Sequence, residues 1–255
     1  MNEIEILQRQ GYQTIKNLDQ VELSPLFRGR PELDAKWSAS EIESLVSLCP
    51  TDAFQTSPFA LNLAKCVFCK ACALKYPDKI RFTNDFNIAS NDLNSFIILP
   101  STTEISIREE SIRKEIRSYF GKALKLRQVS AGGDNSAEME LNASGNVNFD
   151  MGRYGIEFVA SPRHADGLVI TGPITTNMMS ALETCYQAMP SPKIIILAGT
   201  DAISGGVFSE NPEICRAFLD TYKVDLMIPG NPPHPLSIIN GLLNLVRPGW
   251  QTSAL

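Results

Sequence analysis

The chain has 255 residues, enough for two ordinary domains that each bury a core of their own. Its 44% hydrophobic and 20% charged residues are those of a folded globular protein, and a net charge of −5 excludes a general affinity for nucleic-acid phosphates. The longest apolar runs, "SFIILP" and "KIIILAG", fall far short of the about 20 residues that cross a bilayer, so the chain is not expected to span a membrane by itself.

In chain order, the opening "MNEIEILQRQGYQ" is acidic and polar and lacks a basic region leading into an apolar stretch, so no secretory signal is expected. Six cysteines then fit a reducing cytoplasm, where clustered thiols more often bind metal than pair as disulfides. The prolines and glycine of "SPLFRGRPEL" predict an extended surface segment leading into the cysteine region. Strand-like "KIRFT" and "SFIILP" close a small first domain near residue 100. Ile107, Ile112, Ile116 and Phe120 then recur at roughly helical spacing and predict an amphipathic helix ended near Gly121. Beyond it, "GIEFVAS", "GLVITG", "PKIIILAG" and "DLMIPG" alternate with helix-like "NMMSALETCYQAM" and "PEICRAFLDTY", and "PLSIINGLLNLV" closes the chain as a helix. Buried strands alternating with helices predict a mainly parallel sheet covered on both faces. Glycine-rich "VSAGGDNSAEMELNASGNVN" reads as a loop at a strand end.

The strongest chemical signal is Cys66, Cys69 and Cys72, with the remote Cys49-Pro50 as a fourth candidate. Thiolates are soft ligands, and four of them bind Zn(II) or an iron–sulfur cluster. Zinc knuckles usually pair two C-x-x-C units, whereas C-x-x-C-x-x-C with a distant Cys-Pro is the pattern that wraps one cubane. In two-cluster ferredoxins each motif lends its last cysteine to the other cluster, and here the positions that would serve the second cluster are Ala39, Ile42, Leu45 and Tyr76. One set of ligands is complete and the other is wholly missing. Cys185 and Cys215 lie at apolar positions of predicted helices and read as core residues.

The stretch from "FRGRPEL" through "CPTDAF" to "CVFCKACALKYPDKIRF" resembles the ferredoxin-type electron-transfer subunit of formate hydrogenlyase and complex I-related hydrogenases, over about residues 20–90. That resemblance implies an α+β ferredoxin-like domain. The family carries two [4Fe-4S] clusters, and the four departures imply one here. "GIEFVASPRHADGLVITGPIT", "PKIIILAGTDAISGGVF" and "VDLMIPGNPPHPLSIINGLL" resemble the small subunit of group 4 [NiFe] hydrogenases and the 20 kDa-type subunit of NADH:quinone oxidoreductase. This second resemblance implies an α/β flavodoxin-like fold with a [4Fe-4S] cluster of its own. At the family's ligand positions, however, stand Asp134, Ala137, Asp201 and Asn231, so that proximal cluster is expected to be lost. The oxygen donors that remain could hold a hard cation or form a solvated, hydrogen-bonded pocket. In the family a Glu at the position of Glu138 can relay protons, but the simpler reading of this one is an acid in a helix first turn. Arg163 and His164 lie in a phrase that the family places near its cluster and large-subunit interface.

The expected organisation is a ferredoxin-like single-cluster domain at 1–100, a linker and helix at 101–124, and a hydrogenase small-subunit-like domain at 125–255. The implied function is electron transfer through one [4Fe-4S] cluster on Cys49, Cys66, Cys69 and Cys72, without a substrate-converting site. The implied setting is a cytoplasmic subunit held at the inner membrane by partners: a hydrogenase large-subunit-like protein and membrane-arm subunits, with a ferredoxin-type protein as candidate redox partner. The alternative is a non-redox assembly subunit in which the four cysteines staple the first domain.

Overall fold

The computed structural model describes residues 3–250 apart from 12, 19 and 20; residues 1, 2 and 12 of the opening segment and 251–255 of the expected second domain lie outside the described residues. Helix α1 is Glu3–Gln10. The cysteine region follows as β1 (Pro31–Leu33), α2 (Ala39–Leu48), β2 (Phe54–Thr56), β3 (Phe59–Asn62), α3 (Ala71–Lys75), β4 (Ile80–Phe82) and β5 (Ile97–Ile98). All its pairings are antiparallel: β1 with β4, and β3 between β2 and β5.

The rest is α4 (Lys114–Phe120), β6 (Leu124–Ser130), α5 (Ser136–Ser144), β7 (Ile156–Phe158), β8 (Gly167–Thr171), α6 (Thr176–Ala188), β9 (Ile194–Ala198), α7 (Thr200–Ser204), α8 (Ala217–Thr221), β10 (Leu226–Ile228) and α9 (Pro235–Val246). The five strands form one parallel sheet in the order β7-β6-β8-β9-β10. Numbered within the sheet this is 2-1-3-4-5, whose switch point lies between β6 and β8, and ligand crevices in such sheets lie beyond the carboxyl ends of the strands.

Alternation along the strands assigns the two faces. Ile194, Ile196 and Ala198 join Leu141 of α5 and the apolar side of α9 in one core, while Ile195 and Leu197 join Leu182 of α6 and the cysteine region in the other. The two halves therefore share a core: Leu45, Leu61 and Phe96 pack in the same cluster as Leu168, Ile170 and Phe218. Ser90 and Met227 exchange hydrogen bonds of 3.0 and 2.8 Å, which covers the open edge of β10.

Three local expectations are corrected. The glycine-rich stretch is not a loop throughout: Ser136–Ser144 is helical, because the φ of 70° at Asn135 completes the turn before it and good helix formers follow, and residues 145–148 turn away after it. The helix expected over Ile107–Phe120 is confined to Lys114–Phe120, with a 3-10 turn at Glu109–Ser111 before it; Gly121 does end it. Cys215 lies ahead of α8, in a turn where its N–H bonds the Ile174 carbonyl at 2.8 Å. The segment before the cysteines also does more than run over the surface: Leu18 is fully buried in the α9-side core, and Ile15, Val21, Leu23 and Phe27 pack around it.

Candidate functional site

Helix α2 delivers the first thiol. Ser38 caps it in a reciprocal box with Glu41, and Cys49 leaves the helix in an extended conformation, its N–H on the carbonyls of Leu45 and Val46. Burial orients the side chain further: the Ala53 N–H points at Cys49 Sγ from 3.3 Å. Cys66 follows β3 by a tight turn, and Phe68 and Lys70, with φ of 53° and 69°, coil the loop so that Cys69 and Cys72 come round to the same side. The Phe68 N–H lies 3.4 Å from Cys66 Sγ.

All four cysteines line one pocket, walled by Leu48, Phe54, Leu61 and Phe82. Cys66 is buried, Cys49 and Cys72 are half-buried, and Cys69 is exposed. Burial, opposed by a backbone hydrogen bond and reinforced by the charges of the other three, pushes the Cys66 thiol up, and burial pushes Cys72 up to about 11. Among the described residues, no three His, Cys, Asp or Glu side chains converge as a single metal ion would require. One Zn(II) would hold every sulfur about 2.3 Å from a common point, whereas a cubane binds each sulfur at a different iron and takes a wider ring. Four thiols lining one apolar pocket, two of them accepting N–H bonds, are the donor type that such a cluster takes.

The phrase that precedes this loop is its scaffold. Arg28 Nη1 donates to the Phe68 carbonyl, and buried Arg30 pairs with Asp85 at 3.0 Å and donates to the Thr102 carbonyl at 3.1 Å. Gly29 between them is required, since a Cβ there would lie 2.1 Å from the Asp85 carbonyl oxygen. Of the four positions where a second cluster's ligands would stand, Leu45 is fully buried, and Tyr76 meets Trp37 edge-on at 5.6 Å, with Phe59 on that same indole at 4.9 Å.

A second pocket lies at the carboxyl ends of the parallel strands, lined by Asp134, Glu138, Asp201 and Asn231 among backbone glycines. The loops after β6 and β8 touch there, because a Cβ on Gly172 would lie 2.4 Å from the Gly133 nitrogen. Glu138 is held by both central strands, accepting from Ser130 Oγ at 2.5 Å and Thr171 Oγ1 at 2.6 Å. Asn231 Nδ2 donates to Asp201 Oδ1 at 3.3 Å, and burial, aided by the charge of Asp134, pushes the Asp201 carboxyl up to about 6. These donors do not assemble a cation site among the described residues. Arg163 and His164 are exposed on a 3-10 turn before β8, at the other end of the sheet from this pocket.

A raised carboxyl pKa has a definite sign. The folded chain keeps a proton on Asp201 that the unfolded chain releases, so stability falls as pH rises from about 4 to about 6 and the cost is complete above that range. Asp201→Asn is therefore expected to stabilise by about 1–2 kcal/mol above pH 6, after allowance for solvent screening, and to change little below pH 4. Thermal or urea unfolding across that range measures it.

The two pockets adjoin. Thr200, which lines the second, donates from Oγ1 to the Cys66 carbonyl at 2.8 Å, a buried bond between residues far apart in the chain. Sequence reasoning missed Thr200, and only the distant Cys66 makes it notable.

Residues 135–245 match the model of the NADH ubiquinone oxidoreductase, 20 Kd subunit family. A probable membrane-bound hydrogenase subunit of Pyrococcus furiosus is 35% identical over 51% of this chain and 77% of its own length. An NADH-quinone oxidoreductase subunit of Citrifermentans bemidjiense is 40% identical over 42% of this chain, and the match spans 62% of that protein. A solved chain of an archaeal membrane-bound sulfane sulfur reductase complex aligns over 49% of this chain and 70% of its own, at 25% identity and a TM-score of 0.44.

Proposed function

The chain belongs to the NADH ubiquinone oxidoreductase 20 Kd subunit family, and from that premise we propose that it is the iron–sulfur electron-transfer subunit of a membrane-associated, hydrogenase-related complex. One [4Fe-4S] cluster would be held by Cys49, Cys66, Cys69 and Cys72, on a ferredoxin-like segment fused ahead of the family domain. The observation that carries this reading is that those four cysteines all line one apolar pocket. A cluster bound there supplies one-electron transfer. Everything else is supplied by the chain: Ala53 and Phe68 aim N–H groups at two of the sulfurs, Arg28 fixes the loop, and Thr200 ties it to the parallel sheet.

The family's own cluster position has changed its chemistry. Asp134, Ala137, Asp201 and Asn231 offer no thiolate, and Asp201 and Asn231 satisfy each other instead. The pocket between the strand ends thus reads as a hydrogen-bonded remnant, and any electron reaching the cysteine cluster leaves by another route. No set of nucleophile, base and orienting group appears in either pocket, so substrate chemistry belongs to partner subunits. A hydrogenase large-subunit-like protein is the first such partner, with membrane-arm subunits holding the assembly at the membrane. No described helix is long and apolar enough to cross a membrane, which leaves attachment to those partners.

The experiment that tests the proposal is metal analysis and visible absorption of the anaerobically purified chain. A brown protein that bleaches with dithionite supports it. A colourless protein carrying stoichiometric zinc would assign the cysteines a stapling role.

A further inference from the structure

A cavity of about 250 Å³ opens where the cysteine loop meets the first turn of α9, and none of the four cysteines lines it. Phe27, Phe68 and Ile88 form an apolar wall; Arg28, Glu140, Asn231, His234 and Ser237 supply its polar and charged side chains. Ser237 is 1% exposed, yet its hydroxyl has no hydrogen-bond partner. A buried hydroxyl gives up its hydration, and without a partner alanine would pack at least as well. The residue is also well placed to receive an anion. It lies in the first turn of a twelve-residue helix, whose positive dipole end favours negative charge; Pro235 has no N–H, and those of Leu236 and Ile238 are already bonded to His234.

The neighbours narrow the ligand. His234 caps α9 by accepting the Leu236 N–H at Nδ1, 3.2 Å away, which leaves Nε2 to carry the ring proton, and burial holds this imidazole below its usual pKa. Arg28, facing the cavity from the N-terminal segment, is its cationic side chain. Glu140, from α5, is its acid, and burial pushes that carboxyl up. Asp201 lies behind Asn231, bonded to the Asn231 amide. One anion is thus attracted by Arg28 and the helix end, while a second negative charge would meet Glu140. The aromatic and aliphatic wall favours a hydrocarbon portion over a bare inorganic ion.

We infer that this cavity binds a short-chain monocarboxylate, its carboxylate on Ser237 Oγ, the first turn of α9 and Arg28, and its hydrocarbon end against Phe27, Phe68 and Ile88. No cysteine lines the cavity, but Phe68 of its wall belongs to the cysteine loop, so binding is compared between samples of equal metal content.

The test is ligand-observed NMR on the full chain with butyrate as probe, and butyramide and inorganic phosphate as comparisons. Butyrate is expected to bind saturably in the millimolar range, with both comparisons weaker by roughly tenfold or more, the value of a charge-assisted hydrogen bond. Ser237→Ala is expected to lose a similar factor while the thermal midpoint is unchanged or raised, and Glu140→Gln to tighten binding. Absence of saturable butyrate binding, equal binding of butyramide, or an unchanged affinity in a folded Ser237→Ala would each overturn the assignment.

Discussion

Cys69→Ser, purified without oxygen, is expected to lose its iron–sulfur absorption. Cys69 is the most exposed of the four thiols and stands between two left-handed residues, so the substitution removes one ligand without opening a hole in the core. Serine is a harder, weaker donor for iron, and three thiolates hold a cubane poorly. The second consequence is local. Buried Cys66 and half-buried Cys72 would remain as thiols with no ion to bind, and metal binding to such a site is also folding free energy. Hydrogen exchange is expected to quicken over residues 40–90 while the parallel sheet stays protected. Retention of wild-type iron by this variant would mean that Cys69 is not a ligand.

Asp225→Ala is expected to give the largest loss of stability that the ion pairs predict. Asp225 is 5% exposed just before β10 and receives Arg113 Nε at 3.0 Å and Nη2 at 2.9 Å. It also accepts the Ile195 N–H at 3.0 Å, and Arg113 donates onward to the Lys193 carbonyl. One carboxylate therefore fastens the segment before α4 to both β9 and β10. Removing it strands a partly buried guanidinium and a buried N–H, a loss of about 3–5 kcal/mol. Urea unfolding measures it, and a loss below about 1 kcal/mol would show that the pair behaves as an ordinary surface bridge. Iron content should be unaffected, since the contact lies away from the cysteines.

The elements legible in the sequence were those whose signal is local. Helix α9 runs from Pro235 to Val246, the bounds of the quoted stretch, because proline suits a helix first position and Leu and Ile residues recur along it to Val246. Strands β8, β9 and β10 are buried on both faces and therefore read as continuous apolar runs. The inner strand β6 carries Lys125, Arg127 and Gln128 between its buried residues, and that disguised it. The cysteine spacing stood out because three candidate ligands lie within seven residues, Cys66 to Cys72. Other partnerships were invisible because they depend on the fold. Nothing in "GTDAISGG" points to Cys66, and nothing in "PLSIING" marks Ser237 as a hydroxyl left without a partner. The same holds for Leu18, whose burial depends on a surface that forms only when α9 docks.

The most direct measurement is the iron and acid-labile sulfide content of the full chain purified anaerobically. About four irons and four sulfides per chain are expected, and Asp201→Ala should leave both counts unchanged. About eight irons would mean that a second cluster is housed despite the missing thiolates, and a chain with zinc and no sulfide would contradict the electron-transfer reading outright.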